Sequence, residues 1–263
     1  MQMTTGKLSE YLVATTKVAR HHATSPPQLM HMVDEMDALF HREFFSEPLE
    51  MAPISAVLAM NAYTAILGAV REALSGHVVL VFPVARTALE SACYSLLVSQ
   101  REVNADVWLN RNRSTSDLKA CRKLFTVENT IKILQPIQPE MAEYVRGLYE
   151  ASIDYGAHPN PLSIMSHFEP IGPQGDDEFG YSLTGVQGHD SWYVNRELLV
   201  CVEIGQAIAF LIAASIPDHP LLNERIQDFE NWMATKNQMA ESLSADPINH
   251  AGPMYSSVRP PPR

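Results

Sequence analysis

The sequence predicts an all-α fold, a multi-helix bundle of about seven to nine helices with one small β-hairpin insertion. Apolar residues recur at helical spacing through most of the chain. Ser, Asp and Pro stand where such runs begin, and Gly or Pro where they end. Two stretches, 78–98 and 198–216, are apolar almost throughout, as core helices are.

Residues 7–22 read as a first helix. Ser25-Pro26-Pro27-Gln28 is a start signal, with Ser25 as N-cap and Gln28 three positions on. The helix it opens sets Leu29, Val33, Met36, Phe40 and Phe44 on one face. Pro53 opens the next, which has no charged residue from Ile54 to Val70 and stops at Gly76. A helix uncharged on all sides is expected at the centre. Residues 77–100 are expected as one helix, with Pro83 near its start. The polar stretch 104–134 holds two helical pieces, the second capped by Ser114 or Ser116.

Pro139 starts a helix that runs to about residue 157, with Met141, Val145, Leu148, Ser152 and Tyr155 inward. His158 precedes Pro159 and ends it. Residues 160–190 break the helical period. Phe179, Tyr181 and Leu183 alternate as in a half-buried strand, and 164–168 is the expected partner of a hairpin within 163–185. Asp190 or Ser191 caps a long apolar helix stopped by Pro217. A last amphipathic helix uses Leu222, Ile226, Phe229 and Met233. Residues 1–243 are read as one helical domain, with 1–48 as an N-terminal helical appendage or dimer arm. Residues 244–263 are read as a flexible, Pro-rich tail.

With 263 residues, 46% hydrophobic and 19% charged, the chain can bury a large core. Its net charge of −11 opposes general affinity for nucleic-acid backbones. Cys93, Cys121 and Cys201 are far apart and form no CxxC pair, as expected of reduced, buried thiols in the cytoplasm. The N-terminus has no apolar stretch of signal-peptide length. Both apolar stretches carry mid-span charge, Arg86 and Glu90 in one and Glu203 in the other, so soluble core helices are expected and no membrane partner.

Arg86 and Glu90 are the only charged residues between Glu72 and Arg101, and their spacing of four sets them a helical turn apart. Charges inside an apolar helix need partners. They form either a structural ion pair or the floor of a polar pocket between helices. Glu203 is expected to face the same pocket and share Arg86. Tyr155, His158 and Asn160, around the corner Tyr-Gly-Ala-His-Pro-Asn, are its further binding residues. A histidine at a helix C-terminus serves either to satisfy terminal carbonyls or as a site residue.

Arg146, Glu150 and Asp154 lie opposite the apolar stripe of their helix, which makes them a solvated face rather than a metal site. No metal or cofactor is expected: Walker, GxGxxG, GxSxG and HExxH patterns are all missing. Arg101, Arg111, Arg113, Lys119, Arg122 and Lys123 concentrate base against three acids around Trp108. That run is a solvated face, or the place where RNA or another anionic partner docks.

The order of an Arg-x-x-x-Glu pair at 86–90, the Tyr155–Asn160 corner, a hairpin and a second apolar helix resembles a group of uncharacterised bacterial helical proteins distantly similar to HEPN domains. The resemblance covers about residues 50–216. It implies a helical bundle. HEPN relatives include ribonuclease toxins, phage-defence proteins and inactive binding forms. The toxins act with an arginine and a nearby histidine of one helix, usually across a dimer. Here that spacing is matched by Arg71 and His77, across Gly76, and His158 is the other candidate base. Three readings follow: a cytosolic binding or regulatory protein with a polar interhelical pocket, an HEPN-like ribonuclease, or a structural dimerisation protein without a small-molecule site.

Overall fold

The computed structural model describes residues 6–244 except 47, 49, 158, 160, 162, 163, 165–167, 174, 176–178 and 190. The tail expected from 244 onward therefore lies outside the described residues beyond Ser244. Among the described residues the fold is an all-α bundle with one antiparallel two-stranded hairpin. In chain order the helices are α1 (Leu8–Thr24), α2 (Met30–Phe40), α3 (Pro53–Leu74), α4 (Val81–Ser99), α5 (Glu102–Leu109), α6 (Thr115–Leu124), α7 (Val127–Leu134) and α8 (Pro139–Ser152). The strands β1 (Phe168–Pro173) and β2 (Phe179–Leu183) follow, then α9 (Trp192–Ala214) and α10 (Ile226–Leu243). Residues 104–134 thus fall in three short helices rather than two pieces.

At the centre stands α9, buried without a break from Glu197 to Ala213. It needs no amphipathic pattern because α2, α3, α4 and α8 surround it. Gly205 lets α2 approach: both it and Met36 are fully buried, and the Met36 sulfur fills the space a side chain would take. Met32, Val33, Met36, Leu39 and Phe40 of α2 belong to this same core, so α2 is built into the bundle. Helix α1 joins it through His22, whose two ring nitrogens lie 2.7 Å from the Leu74 carbonyl and 3.0 Å from that of His189.

Helices α3 and α4 form an antiparallel hairpin with a register fixed by polar contacts. The Ser55 hydroxyl donates to the Ser95 carbonyl and the Ser95 hydroxyl to that of Ser55, both at 2.9 Å. Asn61 donates to Ser91 at 2.8 Å, and Gly68 faces Val84. Small residues such as Ala59, Ala62, Ala69, Ala85, Ala88 and Ala92, all buried, let the two helices pack closely. Pro83 stands in the first turn of α4, where its missing N–H costs no helical bond.

Several local expectations are corrected. Ser25 does not cap α2; it closes α1, donating its N–H to the His21 carbonyl. The Leu29 N–H is received instead by Oδ1 of Asn195, from α9, at 3.0 Å. The prolines at 26 and 27 hold the chain out of helix long enough for that contact to replace a local cap. Ser114, not Ser116, caps α6, accepting from the Asp117 N–H. Strand β2 pairs with 168–173 rather than 164–168, with Phe168 opposite Leu183. Phe179, Tyr181 and Leu183 face outward, each more than half exposed, and Phe168 stacks on Tyr181.

Among the described residues, three segments are long and apolar enough to cross a membrane: α3, residues 78–99 and α9. Of the apolar window in α9, 94% is buried inside the protein, against 44% for α3.

Candidate functional site

Arg86 and Glu90 point from α4 toward α8. The Arg86 Nε donates to Oε1 of Glu90 at 2.9 Å, and its Nη2 to the Tyr149 hydroxyl at 3.1 Å. The guanidinium also lies over the Tyr149 ring, 4.9 Å from its centroid. Their side chains are 19% and 29% exposed, so the pair opens to solvent instead of being sealed in the core. Burial pulls the Arg86 pKa down, but the bond and charge of Glu90, with help from Tyr149, outweigh it and leave it raised. Arg86 is therefore a cation at any physiological pH, with its plane set by two neighbours.

A guanidinium has five N–H donors. Among the described residues, Arg86 uses Nε and Nη2, and Nη1 makes no hydrogen bond.

Tyr94, one turn beyond Glu90, continues the stripe. Burial, then the Glu90 charge, push its pKa up to about 12. One turn before Arg86, Phe82 stacks on Tyr155 with ring centroids 5.6 Å apart. Tyr155 thus flanks the ion pair through Phe82. It lies in the π-helical turn Ile153–Ala157, where the helix from α8 was expected to continue regularly. A Cβ added at Gly156 would collide with the Cβ of Phe82 and the Cδ of Pro83, so only a residue without a side chain fits there. Such π-helical turns often mark functional sites. His158 and Asn160 lie outside the described residues.

Glu203 does not share Arg86. It is fully buried, and its Oε1 lies 3.4 Å from Nζ of Lys236 on α10 and 3.3 Å from the Tyr144 hydroxyl on α8. Lys236 also donates to the Tyr144 hydroxyl at 3.3 Å. Burial lowers the Lys236 pKa, while Glu203 opposes that shift. The structure therefore separates Glu203 from Arg86 and Glu90: the latter two stand with Tyr149 in a partly exposed cluster, and Glu203 with Lys236 and Tyr144 in a buried one.

Lys236 was missed in the sequence although its position gives it away. Phe229, Trp232, Lys236 and Ala240 form the buried stripe of α10, with the lysine where an apolar residue is expected. Glu43 is a second such case. Its side chain is fully buried in the π-helical turn His41–Phe45, held by Arg42 at 2.9 Å and by Arg225 at 2.7 Å. Tyr149 was missed because it directly follows Leu148, at the edge of the inward stripe of Val145, Leu148 and Ser152.

The expected ribonuclease pair is not assembled as one helix face. Arg71 is exposed in the last turn of α3, and His77 lies past its end, beyond Gly76 at φ +77°. The Tyr11 hydroxyl is 2.7 Å from Nδ1 of His77, and Glu72 is 3.3 Å from the same atom. Arg146 bonds Glu128 at 3.0 Å and Glu143 at 3.5 Å on a largely solvated face. Among the described residues, no group of three or more metal-ligating side chains occurs. The six bases of 101–123 are all exposed, on or beside α5 and α6.

No family model, no curated protein and no solved structure matches the chain.

Proposed function

We propose that the chain is a cytosolic binding or regulatory protein that receives an anionic group, a carboxylate or a phosphate, on Arg86. The observation that carries this reading is the guanidinium itself. It is fixed by Glu90 and Tyr149, opens to solvent, and keeps Nη1 unused among the described residues. A structural ion pair uses its donors inward; this one presents part of its fork outward, where planar anions bind bidentately. The π-helical turn at Ile153–Ala157 sets Gly156 against Phe82 and Pro83, at the start of the same helix.

The test uses inorganic phosphate and succinate as probes. Either probe should raise the thermal midpoint of the wild-type protein. Arg86→Ala should remove that response while the far-ultraviolet circular dichroism stays helical. An Arg86→Ala protein that is unfolded in the absence of probe would make the pair structural and end this reading.

A second reading has its own observation. Among the described residues, none of Arg101, Arg111, Arg113, Lys119, Arg122 and Lys123 takes part in an ion pair, and all are exposed. An outer face of unpaired bases on an acidic chain suits an anionic polymer such as RNA. Salt-sensitive binding of single-stranded RNA that Arg111→Glu with Arg113→Glu abolishes would support it. The ribonuclease reading has less support, because His77 is engaged by Tyr11 and Glu72 while Arg71 stands apart in solvent.

A further inference from the structure

We infer that the outer face of the α3–α4 hairpin is a docking surface for a second copy of this chain. The face follows from the packing. Helix α3 turns one side to α4 and α9 and leaves Val57, Met60, Asn61, Thr64 and Leu67 outward, at the spacing of one helix face. Val57 is 56% exposed, Met60 44% and Leu67 36%. The neighbouring outward positions are Leu80, just before α4, and Thr87 on it, with Val84 half-buried between them. The Asn61–Ser91 bond and the Gly68–Val84 contact join the two stripes into one surface.

No charged residue occurs in α3 between Ile54 and Val70, so α3 itself brings charge only toward the turn, at Arg71 and Glu72, while Asp37 of α2 lies beside it at Tyr63. That is unusual on a chain with a net charge of −11. Two copies repel each other over most of their surfaces and least where neither presents charge. The area is adequate. A helix of 22 residues is about 33 Å long, and with a neighbour about 9 Å away the two present about 600 Å² before side-chain relief, near the ~800 Å² per partner of a standard interface. Helix α1 extends it at the turn end, where Tyr11 meets His77 and Leu8 and Leu12 stay exposed.

A lipid surface fits less well. Membrane-lying faces are bordered by several Lys and Arg that attract anionic lipid, whereas here the large side chains alternate with Asn61, Thr64 and Thr87, and α3 and α4 carry no lysine and just two arginines, Arg71 and Arg86. Those short polar groups suit a two-fold contact, where each can meet its own counterpart. Two hairpins packed face to face make a four-helix arrangement, with the Arg86 cluster on a different side of α4.

The test is solution mass by size-exclusion chromatography with light scattering. The wild-type protein should have twice the chain mass of 29.3 kDa at micromolar concentration. Val57→Glu with Met60→Glu should reduce it to the chain mass with helical circular dichroism unchanged, while Leu183→Glu on the hairpin should leave it doubled. If the paired variant misfolds, Thr64→Cys provides a second measurement. The three native cysteines are buried, so a short bismaleimide should link two copies through position 64 and not through Glu230→Cys on α10. A wild-type protein of single mass, a dimer that survives the charged variant, or flotation of the wild type with zwitterionic vesicles would overturn the inference.

Discussion

Lys236 on α10 and Glu203 on α9 form an ion pair 3.4 Å apart, with the lysine side chain 3% exposed and the glutamate not exposed at all. The Tyr144 hydroxyl bonds both partners and ties α8 to the same point. Removing one member leaves a buried charge without its counter-ion, which costs ~3–5 kcal/mol. Lys236→Met should lower the urea midpoint by a corresponding amount. Lys236→Met with Glu203→Leu should recover most of it, because a well-packed apolar pair needs no desolvation of charge. A double variant as unstable as the single one would show that the loss came from packing at Lys236 instead.

The lysine could be read in the sequence, and its meaning could not. Its position in the stripe of Phe229, Trp232 and Ala240 marks a buried charge, and Glu203 marks another in α9. Helical spacing says which face is buried but not which helices meet. The Glu203 carboxylate was therefore assigned to Arg86 when Lys236, 33 residues away, takes it. The same limit explains α2. Its proline-rich start resembles a local cap, yet the Leu29 N–H is received by Asn195 across the core. Arg86 and Glu90 were legible because both lie on one helix, where spacing alone fixes the contact.

Tyr149 should matter to the Arg86 cluster through orientation. Tyr149→Phe keeps the ring beneath the guanidinium but deletes the bond to Nη2. Hydrogen bonds to charged groups contribute ~1.5–3 kcal/mol, and part of that is retained as water takes the place of the hydroxyl. Phosphate affinity should fall by about tenfold or less, against complete loss in Arg86→Ala. Arg86→Lys should resemble Arg86→Ala, since an ammonium cannot bond Glu90 and present a planar edge together. Isothermal titration with phosphate distinguishes these cases, and unchanged affinity in Tyr149→Phe would remove the tyrosine from the site.

Alkaline pH should destabilise the fold. Burial pushes the Cys93 thiol from 9.0 up to about 12 and the Tyr94 hydroxyl from 10.0 up to about 12. Tyr63 rises to about 12 through burial and its bond to Asp37. In each case the folded chain keeps the proton to higher pH than the unfolded chain. Their contribution is complete below the unfolded values of 9.0 and 10.0 and is lost as pH rises toward about 12. Lys236 has the opposite sign. Burial lowers its pKa below 10.5, so the unfolded chain holds that proton longer and this group adds stability as pH approaches 10.5. Cys201, raised by burial, and Tyr11, raised by burial and the Glu72 charge, act in the same sense, so the net is a loss, seen as a falling urea midpoint above pH 9.0. Lys236→Met should make the fall steeper, and Cys93→Ala should make it shallower, with Cys201 still setting its onset.

The contact of Met36 with Gly205 allows the sharpest test of how α2 is seated. A Cβ added to Gly205 would fall on the Met36 sulfur, and both residues are fully buried. Overpacking of this kind costs ~1–3 kcal/mol, even though alanine is the better helix former. Gly205→Ala should therefore destabilise the chain although propensity alone predicts a gain of up to about 1 kcal/mol. Met36→Val shortens the side chain at the same point and leaves a gap, so alone it should also destabilise. Together the two changes fill and vacate the same volume. The double variant should then be more stable than the sum of the single ones predicts, a coupling of ~0.5–3 kcal/mol in urea unfolding. Strict additivity would mean that α2 shifts to accept the new methyl, and that its seat on α9 is less fixed than the buried sulfur indicates.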